Sequence, residues 1–105
     1  MEIMKILALE HELPGAAAES FQRYAIEEAR QVWDLYQEGL LRELYFRADR
    51  NEAVLVLECG SIEEAQGILE ELPFSREGLI SFETIPLKAY PGFQRLFAES
   101  GPRAS

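Results

Sequence analysis

Tyr45, Arg47, Glu58 and Glu83 are the side chains around which a reaction would turn. Tyr45 and Arg47 stand two apart in one apolar run, which places them on one face of a strand. Glu58 and Glu83 fall at matching positions of two later runs. Aliphatic residues such as Val54, Val56 and Ile85 alternate with them and supply walls. An arginine pairs with a carboxylate and a tyrosine donates a hydrogen bond, so the set suits a pocket for a small organic acid or lactone. A carboxyl group held in an apolar wall has a raised pKa and can take or give a proton. The same charges also suit solvated strand ends, or pairs across a seam between two copies of the chain.

The other reactive residues are few. His11 is the single histidine, flanked by Glu10 and Glu12, and reads as an exposed loop residue or a proton shuttle with a carboxylate partner. Cys59 is the single cysteine and reads as a buried structural thiol beside Gly60 and Ser61. One His and one Cys give no pair with metal-ligand spacing, so no metal or other cofactor is expected. The chain has no glycine-rich phosphate loop and no G-x-S-x-G.

The elements that must position these groups follow in a definite order. Ile3 to Leu9 is a strand, apolar on both alternating sides, broken by Leu13-Pro14-Gly15. A helix starts between Ala16 and Ser20 and ends near Glu38, with Phe21, Ala25, Ala29, Val32 and Tyr36 on one face. Ile26 and Trp33 widen that stripe, and core packing is expected for its aromatics. Gly39 suits the left-handed residue that closes a helix. Leu40 to Ala48 and Ala53 to Cys59 are two strands joined by the polar turn Asp49-Arg50-Asn51-Glu52. Ser61 and Glu64 have capping-box spacing ahead of a second helix buried through Ile62, Ala65, Leu69 and Leu72. Gly67 inside it costs about 1 kcal/mol relative to Ala and leaves room for close packing, and Leu72-Pro73 stops the helix. Leu79 to Leu87 is the last strand. Phe93, Leu96 and Phe97 make a small apolar face in a tail that should dock on its own subunit or a partner.

The order is β-α-β-β-α-β, the ferredoxin-like layout: an α+β fold whose four-stranded antiparallel sheet has two helices on one face. Residues 1–98 read as one domain, including a docking segment at 91–98, and 99–105 as a frayed tail. The helices need an apolar face, assigned to Leu7, Leu9, Leu44, Phe46, Leu55, Leu57, Ile80 and Phe82. Alternation then puts Met4, Ile6, Ala8 and Glu10 on the open face, with Glu43, Tyr45, Arg47, Val54, Val56, Glu58, Ser81, Glu83 and Ile85. An open face this apolar calls for a second copy, with a semi-polar cavity between two sheets.

Composition narrows the partners. The 105 residues carry a net charge of −9, which repels nucleic acid and anionic membranes alike. No segment approaches the roughly 18 apolar residues of a membrane helix, and the N-terminus does not read as a signal peptide. One cysteine rules out an internal disulfide framework, and these features together place the chain in the cytoplasm.

The chain resembles the muconolactone isomerase family of the dimeric α/β barrel superfamily. The resemblance runs from the first strand to Pro91, through Leu13-Pro14, Glu38-Gly39, Arg42, Leu44, Val56, Ser61 to Ala65, Leu72-Pro73, Glu83 and Leu87. It implies a homodimer or larger ring that shifts a proton within an unsaturated lactone, with no cofactor. Glu83 or Glu58 would then be the base, and Tyr45 and Arg47 the donors holding the dienolate oxygen. The alternative is a non-enzymatic ligand-binding or oligomerisation module. A haem- or oxygen-handling relative is a third reading, and the lone histidine argues against its haem form.

Overall fold

A computed structural model describes residues 3–97. Strand β1 spans Met4–Glu12, helix α1 Ala18–Gln37, strand β2 Leu41–Phe46, strand β3 Ala53–Cys59, helix α2 Ile62–Glu70, helix α3 Pro73–Arg76 and strand β4 Ile80–Leu87. A 3-10 turn, Gly92–Leu96, follows. The strands form one antiparallel sheet in the order β2-β3-β1-β4. This is the ferredoxin-like α+β architecture expected from the pattern.

The pairing fixes the two faces. Ile6 lies opposite Leu57 and Ala8 opposite Leu55, and all four are buried beneath the helices. Leu41 joins them from β2, with Ala65 and Leu69 from α2 and Leu72 beyond it. Leu7 and Leu9 lie opposite Val56 and Val54, on the open face. The expected facing of β1 is therefore reversed: Met4, Ile6, Ala8 and Glu10 belong to the helix side. Both alternating sets of β1 are apolar, so its own sequence carries no preference, and its pairing with β3 and β4 decides. The other three strands face as expected. A bulge between Leu41 and Glu43 keeps Leu41 and Leu44 on the same side.

Local signals account for the helix ends. Gly39 follows the last turn of α1 at φ 84°, where a side chain would be strained. Ser61 caps α2, its Oγ accepting the Glu64 N–H at 3.0 Å, and Glu64 Oε1 accepts the Gly60 N–H at 2.8 Å. Two local readings change. Pro73 does not merely end α2; it opens α3, where its missing N–H costs nothing. A side chain on Gly67 would meet no atom within 4 Å, so this glycine serves no close packing.

Helix α1 is not packed like a core helix. It buries none of its residues fully, and Trp33 is 58% exposed and Ile26 73%. Among the described residues the turn Gly92–Leu96 packs on no other element of its own subunit. Tyr90 and Phe93 stack edge to face at 5.1 Å, yet Tyr90 is 68% exposed and Phe97 76%. The tail 99–105, and residue 98 of the expected docking segment, lie outside the described residues.

Candidate functional site

The gap beneath α1 is a cleft of about 1140 Å³ between that helix and the β1–β3–β2 side of the sheet. Ala18, Ala25 and Ala29 of α1 line one wall, and Ala53 and Leu55 of β3 with Leu44 of β2 line the other. Phe21, Val32, Trp33, Phe46, Phe74 and Phe82 surround the space with apolar and aromatic surface. The stripe expected to build the core thus lines a cleft instead.

Two carboxylates enter this apolar wall. Glu10 comes from β1, and its Oε1 accepts the Ala53 N–H at 3.1 Å. Glu28 comes from α1, and its Oε1 accepts the Phe74 N–H at 2.9 Å in the first turn of α3. Among the described residues, neither Oε2 makes a hydrogen bond, and neither is sealed from solvent-sized space. Burial pushes both carboxyl groups above the ordinary value, although each backbone hydrogen bond pulls the other way. The charge of Glu28 raises Glu10 further, as do Glu52 and Glu12. A carboxyl group displaced this way can hold a proton nearer neutral pH and release it to a bound molecule.

The four residues chosen from sequence take other places. Glu83 sits on the open face of β4, with His11 Nε2 3.6 Å from its Oε1. Glu58 stands 3.7 Å from Lys5 and 4.0 Å from Arg42 on that same face. Arg47, just beyond β2, is bound by both ends to Asp49 at 2.8 and 2.6 Å. Tyr45 donates to Glu43 at 2.9 Å, which holds its hydroxyl above the ordinary value. The structure therefore distributes the four among separate polar pairs. Tyr45 alone also borders the cleft, because β2 is an edge strand.

Sequence reasoning missed Glu28 and put Glu10 on the wrong face. A signal for Glu28 exists: it stands three residues after Ala25 and four before Val32, inside the apolar stripe. For Glu10 no local signal exists, since its facing follows that of β1. Among the described residues no cluster of three His, Cys, Asp or Glu side chains could hold a metal ion, and no helix is long and apolar enough to cross a membrane. Cys59 is buried, its Sγ 3.5 Å from the Ser61 carbonyl, and burial raises its thiol.

Comparison with known proteins gives fold and little more. No protein-family model matches the chain, and no curated protein matches it. A solved structure is similar: 5-chloro-2-hydroxyhydroquinone dehydrochlorinase from Burkholderia phenoliruptrix AC1100, in complex with 2,5-dihydroxybenzoquinone. The two share 21% identity at a TM-score of 0.54, over 83% of this chain and 94% of that one. At that identity the likeness supports the ferredoxin-like fold alone.

Proposed function

We propose that this chain is a cytoplasmic, cofactor-free protein of muconolactone isomerase type, moving a proton within, or binding, a small unsaturated lactone or organic acid. The observation that supports it is the pair Glu10 and Glu28, two carboxyl groups of raised pKa in the wall of an apolar cleft. In this reading Oε2 of one carboxylate removes a proton beside a ring carbonyl. The electron pair moves onto the carbonyl oxygen to give a dienolate, and the same proton returns two carbons away. Arg42 at the rim is the cation available to the developing oxyanion. No step draws on a metal or a redox partner.

A second arrangement has its own support. Leu7, Leu9, Val54, Val56 and Ile85 form an apolar strip on the open face, which a second copy would cover. Glu83, Glu58, Arg47 and Tyr45 border that strip, as wall residues of a cavity between two sheets or as seam residues. The chain then works as a homodimer or larger ring.

The test is deuterium uptake from D2O into furan-2(5H)-one, followed by NMR, beside binding of 2,5-dihydroxybenzoquinone. Glu10→Gln and Glu28→Gln should each slow exchange about 100-fold or more while Glu83→Gln leaves it intact. Loss of exchange in Glu83→Gln alone would move the site to the open face. Binding with no exchange in any form would make the chain a ligand-binding module.

A further inference from the structure

The cleft is wider and barer than a small molecule needs. Its volume of about 1140 Å³ exceeds the roughly 300–1,000 Å³ of pockets that enclose one ligand. Along its mouth Trp33, Tyr36, Leu44 and Phe46 are all exposed, whereas Glu10 and Glu28 are half-buried. An apolar rim of that extent is surface that a second polypeptide covers. The chain carries a segment that matches it. Tyr90, Phe93 and Phe97 are exposed, and the turn Gly92–Leu96 packs on no other element among the described residues. Charge agrees with shape. Residues 84–98 are the longest stretch of the chain without Asp or Glu, and they carry Lys88 and Arg95 in a chain of net charge −9. The cleft is lined by Glu10, Glu12, Glu28 and Glu43, against Arg42. Tyrosine, phenylalanine and arginine are also residues that interfaces favour.

The cleft of the same subunit is a poor seat for this segment. Leu87, where the segment leaves the sheet, pairs with Lys5, whereas Phe82 beside the cleft pairs with Glu10, about 17 Å back along β4. Strand β2, which carries Leu44 and Phe46, is the opposite edge of the sheet, roughly 14 Å across. The diagonal of about 22 Å would use every residue from Leu87 to Phe93 at full stretch, yet Gly92 and Phe93 are wound in the 3-10 turn. We infer that the aromatic segment of a second copy, Tyr90 to Phe97, seats across the mouth of this cleft on Trp33, Tyr36, Leu44 and Phe46. Lys88 and Arg95 answer the acidic wall, and the space beside Glu10 and Glu28 stays for a small molecule. The contact requires nothing of the proton-transfer reading. Three aromatic rings bury about 150–250 Å² each, short of the roughly 800 Å² per partner of a stable interface, so the segment adds to a sheet-to-sheet contact rather than replacing it.

Cross-linking of the full-length chain tests the contact. A tagged Gln94→Cys chain and an untagged Ala29→Cys chain, expressed together and treated with a short bismaleimide, should give a covalent heterodimer. Ala29 is exposed and lines the cleft, and Cys59 is buried, so the unaltered chain serves as the blank. Arg30→Cys, exposed but outside the cleft lining and about 100° further round the helix, should cross-link far less. Adding Phe93→Ser to the tagged chain should lower the yield about fivefold or more, and high salt should lower it too. Trp33 is the single tryptophan and borders the cleft. At concentrations where the chain associates, acrylamide should quench Trp33 less in the unaltered chain than in Phe93→Ser. The inference is overturned if no heterodimer forms, if Ala29→Cys and Arg30→Cys give equal yields, or if Trp33 is quenched equally in both chains. It is overturned as well if the cross-link forms only within one chain carrying both Gln94→Cys and Ala29→Cys, which would make the segment's seat its own cleft. A yield that high salt leaves unchanged overturns the part assigned to Lys88 and Arg95.

Discussion

Glu10 and Glu28 each serve two ends at once. One oxygen satisfies a backbone N–H that would otherwise lack a partner, at the start of β3 and in the first turn of α3. The other is left to the cleft. Folding raises both carboxyl groups, so the folded chain keeps protons at pH values where the unfolded chain, near 4.5, has released them. Their contribution to stability therefore falls as pH rises through the window above 4.5. Urea unfolding at pH 4.5 and pH 7 should show this, as a smaller drop in midpoint for Glu10→Gln plus Glu28→Gln than for the unaltered chain. A steeper drop in the double variant would mean that the carboxylates are stabilised as anions. Asp49 has the opposite sign, since its bond to Arg47 lowers its carboxyl group, but it is fully exposed. It should add little to that difference.

At the scale of elements, α2 offers two opposed and independent changes. Ser61→Ala removes the side-chain acceptor for the Glu64 N–H and should cost about 1 kcal/mol. Gly67→Ala should add about 0.5–1 kcal/mol, because the new Cβ meets no atom within 4 Å and the unfolded chain loses freedom. Chemical denaturation of the two variants checks both signs. A loss in Gly67→Ala would show that the helix there is approached by something outside the protomer. Helix α1 contrasts with α2. It is joined to α3 by Phe21 against Phe74 at 5.1 Å and to the end of α2 by Gln31 Nε2 on the Glu71 carbonyl at 2.9 Å, while Val32 and Leu35 pack against the core.

At the scale of the molecule, apolar surface among the described residues is left open in two further places beside the cleft. One is the open sheet face, the other the segment with Tyr90, Phe93 and Phe97. A second copy set sheet to sheet would cover the first, and Tyr90, Phe93 and Phe97 of the second are largely exposed among the described residues. Sedimentation should therefore give a dimer or larger species at micromolar concentration. Leu7→Glu should dissociate it, since the residue lies in the middle of the strip opposite both Val56 and Ile85. A monomer at all concentrations would leave the open face as ordinary solvated surface.

The architecture was legible in the sequence because it rests on local rules. Periods of two and of three to four marked the strands and both long helices, Ser61 and Gly39 marked helix ends, and the Asp49–Glu52 turn marked the hairpin. The facing of β2, β3 and β4 followed as well, because in each one alternating set is plainly the more apolar. Tertiary structure alone decided the facing of β1. That strand is apolar on both sides, so only its partners choose which side meets the helices, and the choice carries Glu10 with it. The cleft was hidden for a related reason. A stripe of Phe21, Ala25, Ala29 and Val32 declares that a helix face is apolar, but not whether the sheet residues across from it will meet it. Whether such a face closes into core or stands off as a cavity depends on volumes contributed by segments far apart in the chain, and no periodicity records them.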